Sequence, residues 1–203
     1  MLTAESAHQF LRSRRTVRRF TAEALPEEAL TRILGTAVHA PNAHNRQSWR
    51  FVRLASSAAR AALADAMGAE FQANLLKEGL PPQDAEAQVA RSRARILEAP
   101  ETLLLCLDTA ELDTYKDPAR SEGEVLMAMQ SAALAGGQML LAAHAEGFGG
   151  VWVCAPLFAQ AAVRTALALP ATWLAQGLIL LGRPAAVPAP RPRKPLNEIL
   201  LVR

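Results

Sequence analysis

The run VLMAMQSAALAGGQMLLAA at residues 125–143 carries no charged side chain, and it constrains the fold more than any other part of the chain. Its length would allow a helix that spans a membrane. Against a span, the run is rich in alanine, contains two glutamines, a serine and a glycine pair, and lacks a flanking aromatic belt. A helix that is apolar on every side is otherwise a buried one. We therefore predict a buried central helix over residues 121–146, at a subunit interface, ended by Gly147.

The segments around this helix alternate between helical and strand-like patterns. Helices are predicted after the capping residue Thr3, from Pro26 to just before Pro41, and in two stretches separated by the proline pair of EGLPPQ. A further helix is predicted from PLFAQAAVRTALAL. Few strands and a large helical part predict an α+β fold. The strands are predicted at residues 49–54, 101–108, 149–155 and 175–182.

The C-terminal part of the chain differs in composition from the rest. Residues 183–195, RPAAVPAPRPRKP, contain five prolines and are predicted to form an extended arm. The apolar, strand-like run EILLVR follows at 198–203. A strand beyond an extended arm is poorly placed for a hairpin, so we expect it to cross to a second subunit and add to a sheet edge there. The chain is thus divided into a domain at 1–182 and an arm at 183–203.

Charge and cysteine usage narrow the functional classes. The formal net charge of +3 is mild, which predicts a soluble protein with no general attraction to nucleic acid. The N-terminal stretch MLTAESAHQFLRSRR has no apolar core of the kind found in signal peptides, so we expect a cytoplasmic protein that is not bound to a membrane. Cys106 and Cys154 lie in apolar runs, where cysteines are commonly small buried hydrophobes rather than ligands or bridges.

Several common kinds of site have no sequence signature here. None of the four histidines forms an H-x-x-x-H pair, and no carboxylate cluster accompanies them, so no metal site is predicted. The glycine cluster EGFGGVW is not G-x-G-x-x-G and leads into a strand rather than a helix, which disfavours a dinucleotide fold. No G-x-S-x-G elbow is present, and neither cysteine has the setting of a nucleophile.

Clusters of cations and hydrogen-bond donors remain. They are RSRRTVRRF near the N-terminus, NAHNRQ before the first strand, and PRPRKP in the arm. Arginine forks suit phosphate, and amide side chains can donate to and accept from the polar edge of a planar heterocycle. The clusters together predict a site for a phosphorylated, ring-bearing cofactor. The simpler alternatives are a solvated helix end, a solubilising tail and a loop of turn formers, although the last explains Asn42 and Asn45 better than Gln47.

Three stretches, SRRTVRRFTAEALPEEALTRIL, APNAHNRQSWRF and RPRKPLNEIL, resemble in this order the nitroreductase family of flavoproteins, over essentially the whole chain. Within the family, ARSRARILEAP and LPATWLAQGLILLGRPA are similar to the branch that includes the C-terminal flavin domain of the coenzyme F420 gamma-glutamyl ligase of actinobacteria. The resemblance implies an α+β sandwich with a small mixed sheet flanked by helices. It also implies a homodimer formed through the central helix, in which the C-terminal arm is exchanged and adds a strand to the partner's sheet.

By the same resemblance the chain binds FMN at the dimer interface. The phosphate would be held by Arg14, Arg15 and Thr16, and closed from the arm by Arg191 and Arg193. Further along the cofactor, Arg18 would lie near the ribityl chain or the pyrimidine edge, and Asn45 and Gln47 would reach ribityl or isoalloxazine atoms.

One departure from the family concerns the end of the third strand. Many members place a backbone N–H there against flavin N5, but this chain reads CAPLF, and Pro156 has no N–H. The contact would then fall to Ala155 or Leu157.

The activity that the resemblance implies is that of an NAD(P)H-dependent FMN oxidoreductase. It would reduce nitroaromatic, quinone-like or related electron-poor small molecules in a ping-pong cycle, and no catalytic side chain is implied, because FMN carries the chemistry. Two alternatives stay open. One is a flavin enzyme that reduces or binds a deazaflavin (F420) precursor, and the other is a flavin-binding protein without turnover. The first would need a basic cleft, which could be supplied by Arg12, Arg19, Arg46 and Arg50.

Overall fold

A computed structural model describes residues 3–203, which form six α-helices and four β-strands. The expected element order is confirmed as far as the fourth strand, with shifted boundaries at several helix ends. The helices are α1 (Ala4–Ser13), α2 (Glu27–Ala37), α3 (Ser57–Lys77), α4 (Pro82–Leu97), α5 (Pro118–Ala145) and α6 (Gln160–Ala166). The strands are β1 (Trp49–Arg53), β2 (Glu101–Asp108), β3 (Gly149–Val153) and β4 (Trp173–Gly182).

The four strands form one sheet in the order β1-β2-β4-β3. Every neighbouring pair of strands is antiparallel, so the strands do not make the mixed sheet that was expected. The strands that run in the same direction are β1 with β4 and β2 with β3, and an antiparallel strand lies between the members of each pair. A single parallel bridge, Thr16 with Gly150, is made by the segment after α1 where it runs beside β3. The α+β class itself is confirmed.

Helices cover both faces of the sheet. Successive side chains of β2 point to opposite faces, so they pack against different helices. On one face, Leu104 and Cys106 pack with buried residues of α3, α4 and α6. On the other face, Leu103 packs against α2 and the C-terminal half of α5, and Leu105 packs against the N-terminal half of α5. The whole of β2 is buried, as its apolar sequence predicted.

The central helix α5 begins three residues earlier than predicted, because Asp117 caps it by accepting from the Ala119 N–H and Pro118 occupies its first turn. By length and composition alone it could cross a membrane. In the structure one of its faces packs on the sheet, so the predicted burial is confirmed for that face only. The opposite face is apolar but open, with Leu126 57% and Leu134 49% exposed.

A tryptophan is inserted between two glycines where α5 meets the sheet. A methyl group on Gly136 of α5 would overlap the six-membered ring of Trp152, and one on Gly177 of β4 would lie 2.6 Å from its Nε1 atom. Only glycine allows this approach, and the indole therefore locks α5 onto β3 and β4.

Helices α3 and α4 form an antiparallel hairpin between β1 and β2. It is held by Gly68 against Val89, where an added Cβ would lie 3.1 Å from a Val89 methyl, and by an ion pair of 2.6 Å between Asp65 and Arg93. The EGLPPQ break predicted the turn of this hairpin correctly, since α3 ends at Lys77 and α4 starts at Pro82.

The chain end departs most from the predicted elements. After β4 the chain is fixed by the Ala185 N–H, which donates to the Arg19 carbonyl at 3.0 Å, and then becomes extended and exposed. Residues 198–203 do not form the expected strand within this chain, which ends in a short 3-10 turn at Leu196–Glu198 and an irregular tail. A strand needs a neighbouring edge, and this run does not lie against one within its own chain. Leu201 is 69% and Val202 81% exposed, and the division into a domain and an exchanged arm stays a prediction.

Candidate functional site

The N-terminal basic cluster lies at the β3 edge of the sheet. The Val17 N–H donates to the Gly150 carbonyl at 3.0 Å, which holds the segment after α1 beside β3. This close approach depends on Gly149, where an added Cβ would lie 2.7 Å from the Cβ of Val17. The strand edge thereby fixes the position of the segment that carries Arg14, Arg15 and Thr16.

A cavity of about 190 Å³, here called the arginine cavity, opens beside this segment. It is lined by Ser13, Arg14, Arg15 and His144, together with the glycines at the start of β3 and the first residues of the arm. Ser13 Oγ lies 2.7 Å from His144 Nε2, and the imidazole stacks on Phe10. Burial, followed by the charges of Arg14 and Arg15, lowers the pKa of His144. The imidazole is thus held neutral in a cationic cavity that has one apolar wall.

The charge balance of this cavity fits a phosphate group. Within residues 3–203, Arg14 and Arg15, which line the cavity, and Arg18, the next arginine along the segment, have no carboxylate partner, while six other arginines form ion pairs. Arginines that are grouped and left unneutralised at a cavity are a donor set for an anion, since their forks match phosphate oxygens. The six paired arginines are Arg32, Arg46, Arg50, Arg53, Arg93 and Arg183.

The loop NAHNRQ carries unusual backbone strain. His44, Asn45 and Gln47 all have φ near +53°, the left-handed region that costs a residue other than glycine about 1–2 kcal/mol. The loop is held there because the Gln47 N–H donates to Asn42 Oδ1 at 3.0 Å and the Ala43 N–H donates to Ser131 Oγ at 3.2 Å. Strain of this kind concentrates at functional sites.

The side chains of Asn45 and Gln47 are exposed, as a cofactor-binding role requires. They are also coupled to each other, because Gln47 Nε2 donates to Asn45 Oδ1 at 3.3 Å. The amide nitrogen of Asn45 and the amide oxygen of Gln47 are then left without a hydrogen-bond partner among the described residues. This pair of opposite hydrogen-bonding groups suits the polar edge of a heterocycle.

Two arginines that could have supplied a basic cleft do not do so. Arg46 pairs with Asp113 and lies 3.6 Å from Glu124, and Arg50 pairs with Glu111 at 2.5 Å and Asp108 at 3.2 Å. Their charges are neutralised by acids at the end of β2 and just after it. These two arginines therefore give the deazaflavin alternative no support.

The end of β3 decides between the two backbone donors left open by the sequence. Residues Ala155–Phe158 form a 3-10 turn instead of the start of the predicted helix, and the Leu157 N–H donates to the Cys154 carbonyl at 3.0 Å. Within the described residues the Ala155 N–H has no acceptor. Of the two, Ala155 is therefore the donor that is free to meet a ligand.

Cysteine chemistry differs between the two thiols. Burial raises the pKa of Cys106 to about 12, which makes it an inert core residue as expected. Cys154 was expected to be buried too, but it is exposed, because β3 ends at Val153 and the turn that follows carries Cys154 to the surface.

The single chain does not bring all the predicted residues together. The Arg14 segment contacts α5 at His144, whereas the NAHNRQ loop contacts it at Ser131, about 20 Å away along the helix. Arg191 and Arg193 are exposed on the extended arm. With Ala155 and Leu157 in the turn after β3, the predicted set is thus spread over four separate places on one chain.

Sequence patterns missed two parts of this region. Ser13 and His144 join the arginine cavity, and their contact spans 131 positions, so no local pattern signals it. A second cavity of about 700 Å³ lies between α3, α4 and the turn after β3. The arginines that line it had no predicted role.

Comparison with known proteins agrees with the fold. The chain is 32% identical over 178 residues to 5,6-dimethylbenzimidazole synthase of Rhodospirillum rubrum, covering 84% of this chain and 78% of that protein. It is 30% identical to NADH dehydrogenase of Thermus thermophilus, covering 94% and 92%. A nitroreductase-like protein of Desulfovibrio desulfuricans, solved in complex with FMN, superposes with a TM-score of 0.74 at 29% identity, covering 99% and 98%.

The family profile described as Nitroreductase family matches residues 11–183. This range includes the arginine segment, the strained loop and the turn after β3. With that match and with relatives of 30% identity or more over most of its length, the chain belongs to the nitroreductase family.

Proposed function

We propose that this protein is an NAD(P)H-dependent FMN oxidoreductase that reduces nitroaromatic, quinone-like or related electron-poor small molecules. The observation that carries the proposal is the pair Arg14 and Arg15, which line a cavity at the β3 edge without a carboxylate partner among the described residues. The FMN in the solved relative and the dehydrogenase name of the Thermus relative support the cofactor and the electron donor.

The residues of this chain would hold FMN by its charged and polar groups. Arg14, Arg15 and Thr16 bind the phosphate, and Arg18 lies near the ribityl chain or the pyrimidine edge. At the other end of the cofactor, the Ala155 N–H donates to the ring. When bound, FMN supplies the acceptor for the hydride of NAD(P)H and the electrons for the second substrate.

A complete site would be shared between two copies of the chain, because Asn45 and Gln47 lie far from Arg14 along α5. The open face of α5 is centred near Ala133 and Leu134. An antiparallel pair of helices with its two-fold axis there would place Glu124 of one copy level with Ala143 of the other. The strained loop contacts α5 of its own copy at Glu124 and Ser131. In such a pair, the loop of one subunit would therefore come to the arginine segment of its partner.

The arm would complete the same site. Arg191 and Arg193 follow a stretch that starts at the arginine cavity, where Val187 is part of the lining. They would bind the phosphate from the open side once the arm lies along the partner. The dimer, the exchanged arm and the cofactor site are thus parts of one proposal.

No side chain is needed as a nucleophile. NAD(P)H gives up two electrons and one proton as a hydride, and the acceptor takes up two electrons and two protons, the second proton coming from solvent. The protein contributes positioning and positive charge, and Arg18 would favour the anionic reduced cofactor. Within residues 3–203, no group of three or more potential metal ligands is present.

The decisive experiment is the visible spectrum of the purified protein, followed by anaerobic addition of NADH and NADPH separately. We expect a flavin spectrum that bleaches with at least one donor and returns when a quinone is added. Cofactor released by heat should run with FMN on chromatography. Release of FAD, or a flavin that neither donor bleaches, would overturn the proposal, and the second result would favour the flavin-binding alternative.

The deazaflavin alternative stays a prediction from sequence resemblance. Of the four arginines that could have formed its basic cleft, Arg46 and Arg50 are neutralised. Arg12 and Arg19 are exposed, and neither lines the arginine cavity.

A further inference from the structure

The cavity of about 700 Å³ between α3 and α4, here called the cleft, reaches Ala155, the residue proposed to meet the flavin ring. Its walls include Val153 at the end of β3, with Ala155 and Ala159 in the turn that follows, and Ala155 packs on the core cluster that contains Leu63, Ala64 and Met67 of α3. The volume is in the range of small-molecule sites. The inner end of this cleft therefore adjoins the proposed position of the reactive ring.

One wall of the cleft is apolar and aromatic. Met67, Phe71 and Leu75 line it from α3 at helical spacing, and Phe158 enters from the turn after β3. Phe71 is 37% and Phe158 76% exposed, so both rings have free surface toward the cleft or solvent. Such rings offer stacking and edge contacts to a planar ligand.

The opposite wall is made of hydrogen-bond donors on α4. Gln88, Arg91, Ser92 and Arg95 line it, with the two arginines one helical turn apart. Within the described residues neither Arg91 nor Arg95 forms an ion pair, whereas Arg93 is neutralised by Asp65. Like charges four residues apart destabilise a helix slightly, so helix stability does not account for the pair. An anion between them would relieve the repulsion.

The acids of the cleft lie toward its mouth. The pairing of Asp65 with Arg93 sets the register of the hairpin, and it places Arg91 and Arg95 level with the inner end near Met67. Glu70 lies about one turn further out, and Glu78 about 16 Å beyond Met67 at the tip. A ligand with a single anionic group at its inner end suits this arrangement, while a polyanion extended along the cleft would be repelled at the mouth.

We propose that this cleft binds the electron acceptor, and that the preferred acceptors are aromatic monoanions such as carboxylates. Arg91 and Arg95 bind the anionic group, and Phe71 and Phe158 contact the ring. The inference rests on the proposed function. The acidic mouth argues for the acceptor over the dinucleotide, which carries several phosphate charges.

The test compares 4-nitrobenzoate with the uncharged 4-nitrobenzamide, which has nearly the same shape. Calorimetry on the oxidised, flavin-loaded protein measures binding, and NAD(P)H oxidation measures kcat/KM. We expect Arg91→Gln and Arg95→Gln each to raise the Kd of nitrobenzoate about tenfold or more, because a charge-assisted hydrogen bond is lost. The Kd of nitrobenzamide should stay within about twofold of wild type.

Two variants serve as controls. Lys77→Gln removes a cation from the same hairpin outside the lining and should leave both ligands unaffected. Glu70→Gln should tighten nitrobenzoate binding by about twofold, since a repulsive charge is removed. Thermal melts of all variants confirm that the hairpin is folded.

The outcomes separate the two proposals. The cleft assignment would be overturned if Arg91→Gln and Arg95→Gln changed the Kd of both ligands equally, or changed neither Kd. It would also be overturned if these variants weakened NADPH binding and left nitrobenzoate binding unchanged. If neither dinucleotide reduces the flavin, the proposed function fails, but the calorimetric comparison still decides whether the cleft selects an aromatic anion.

Discussion

Ser13 at the end of α1 and His144 near the end of α5 share a hydrogen bond of 2.7 Å between Oγ and Nε2. The imidazole also stacks on Phe10 of α1, with ring centroids 5.0 Å apart. One histidine thus fastens α1 to α5 beside the arginine cavity, where burial and two cations oppose its protonation.

This arrangement predicts a pH dependence of stability. Burial, then the charges of Arg14 and Arg15, lower the pKa of His144 below the unfolded value of about 6.5. The unfolded chain therefore binds more protons between the folded and unfolded pKa values, and this contribution to stability is lost as the pH falls below about 6.5. Urea unfolding of the cofactor-free protein at pH 7.5 and 5.5 should show a steeper loss for wild type than for His144→Gln. Equal losses in the two proteins would remove His144 as the cause.

The strained loop predicts separate effects on folding and binding. Gln47→Gly removes the cost of the left-handed conformation, because glycine adopts it freely. The same change raises the conformational entropy of the unfolded chain, so the unfolding free energy should stay within about 1 kcal/mol of wild type. Flavin affinity should fall, because the exposed amide is lost. Chemical unfolding and flavin titration measure the two quantities. A variant with unchanged flavin affinity would make the loop a purely structural turn.

The arginine cavity and the arm each predict a loss of cofactor binding. Arg14→Ala and Arg193→Ala should each weaken FMN binding by about 2 kcal/mol, or roughly 30-fold in Kd, because each loses a charged hydrogen bond to phosphate. Arg120→Ala is the matched control, since that guanidinium sits 4.0 Å over the Tyr115 ring at the start of α5. Titration of the cofactor-free variants gives the Kd values. Unchanged values for Arg14 or Arg193 would mark that residue as a solvated charge.

The tryptophan between two glycines predicts a stability effect that depends on position. Gly136→Ala should lower the unfolding free energy by about 1–3 kcal/mol, because the new methyl group overlaps the Trp152 ring. Gly123→Ala on the same helix meets no atom within 4 Å, so it should be neutral or stabilise by up to about 1 kcal/mol. Urea unfolding compares the two. Similar effects at both positions would show that the core accommodates the methyl group by moving the indole.

The exposed tail predicts that dimer assembly and cofactor binding are linked. Deleting residues 190–203 removes the apolar run and both arm arginines, and should cost the dimer and the flavin together. The double variant Arg191→Ala/Arg193→Ala keeps the apolar run and should lose flavin while staying dimeric. Sedimentation and flavin absorbance measure both properties. A truncated protein that remains a yellow dimer would show that the arm is a passive appendage.

Local patterns in the sequence predicted the fold well wherever a helix or strand is defined by its own residues. The capping residue Thr3, the proline pair of the hairpin turn and the apolar run of β2 each act within a few positions. The start of α5 was missed by three residues because Asp117 and Pro118 were not used as a cap signal, although both were visible in the sequence.

The rest depends on contacts that a single sequence does not show. Arg46 and Arg50 appeared available for a ligand, but the acids that neutralise them follow β2, more than fifty positions later. The terminal run EILLVR has strand character without a strand neighbour in its own chain. The candidate residues could be named from the family resemblance, while their separation along α5 required the structure.

The hairpin of α3 and α4 has a consequence for engineering. It joins β1 and β2, which are already neighbours in the sheet, with Arg53 paired to Leu103 where the two strands connect. A tight turn could close the same two strands, so the sheet register does not depend on what the hairpin contains. The outward residues of the hairpin can be exchanged to change the range of acceptors without altering the cofactor site, provided that its buried anchors, Leu63, Met67 and Ile96, keep their contacts with the sheet.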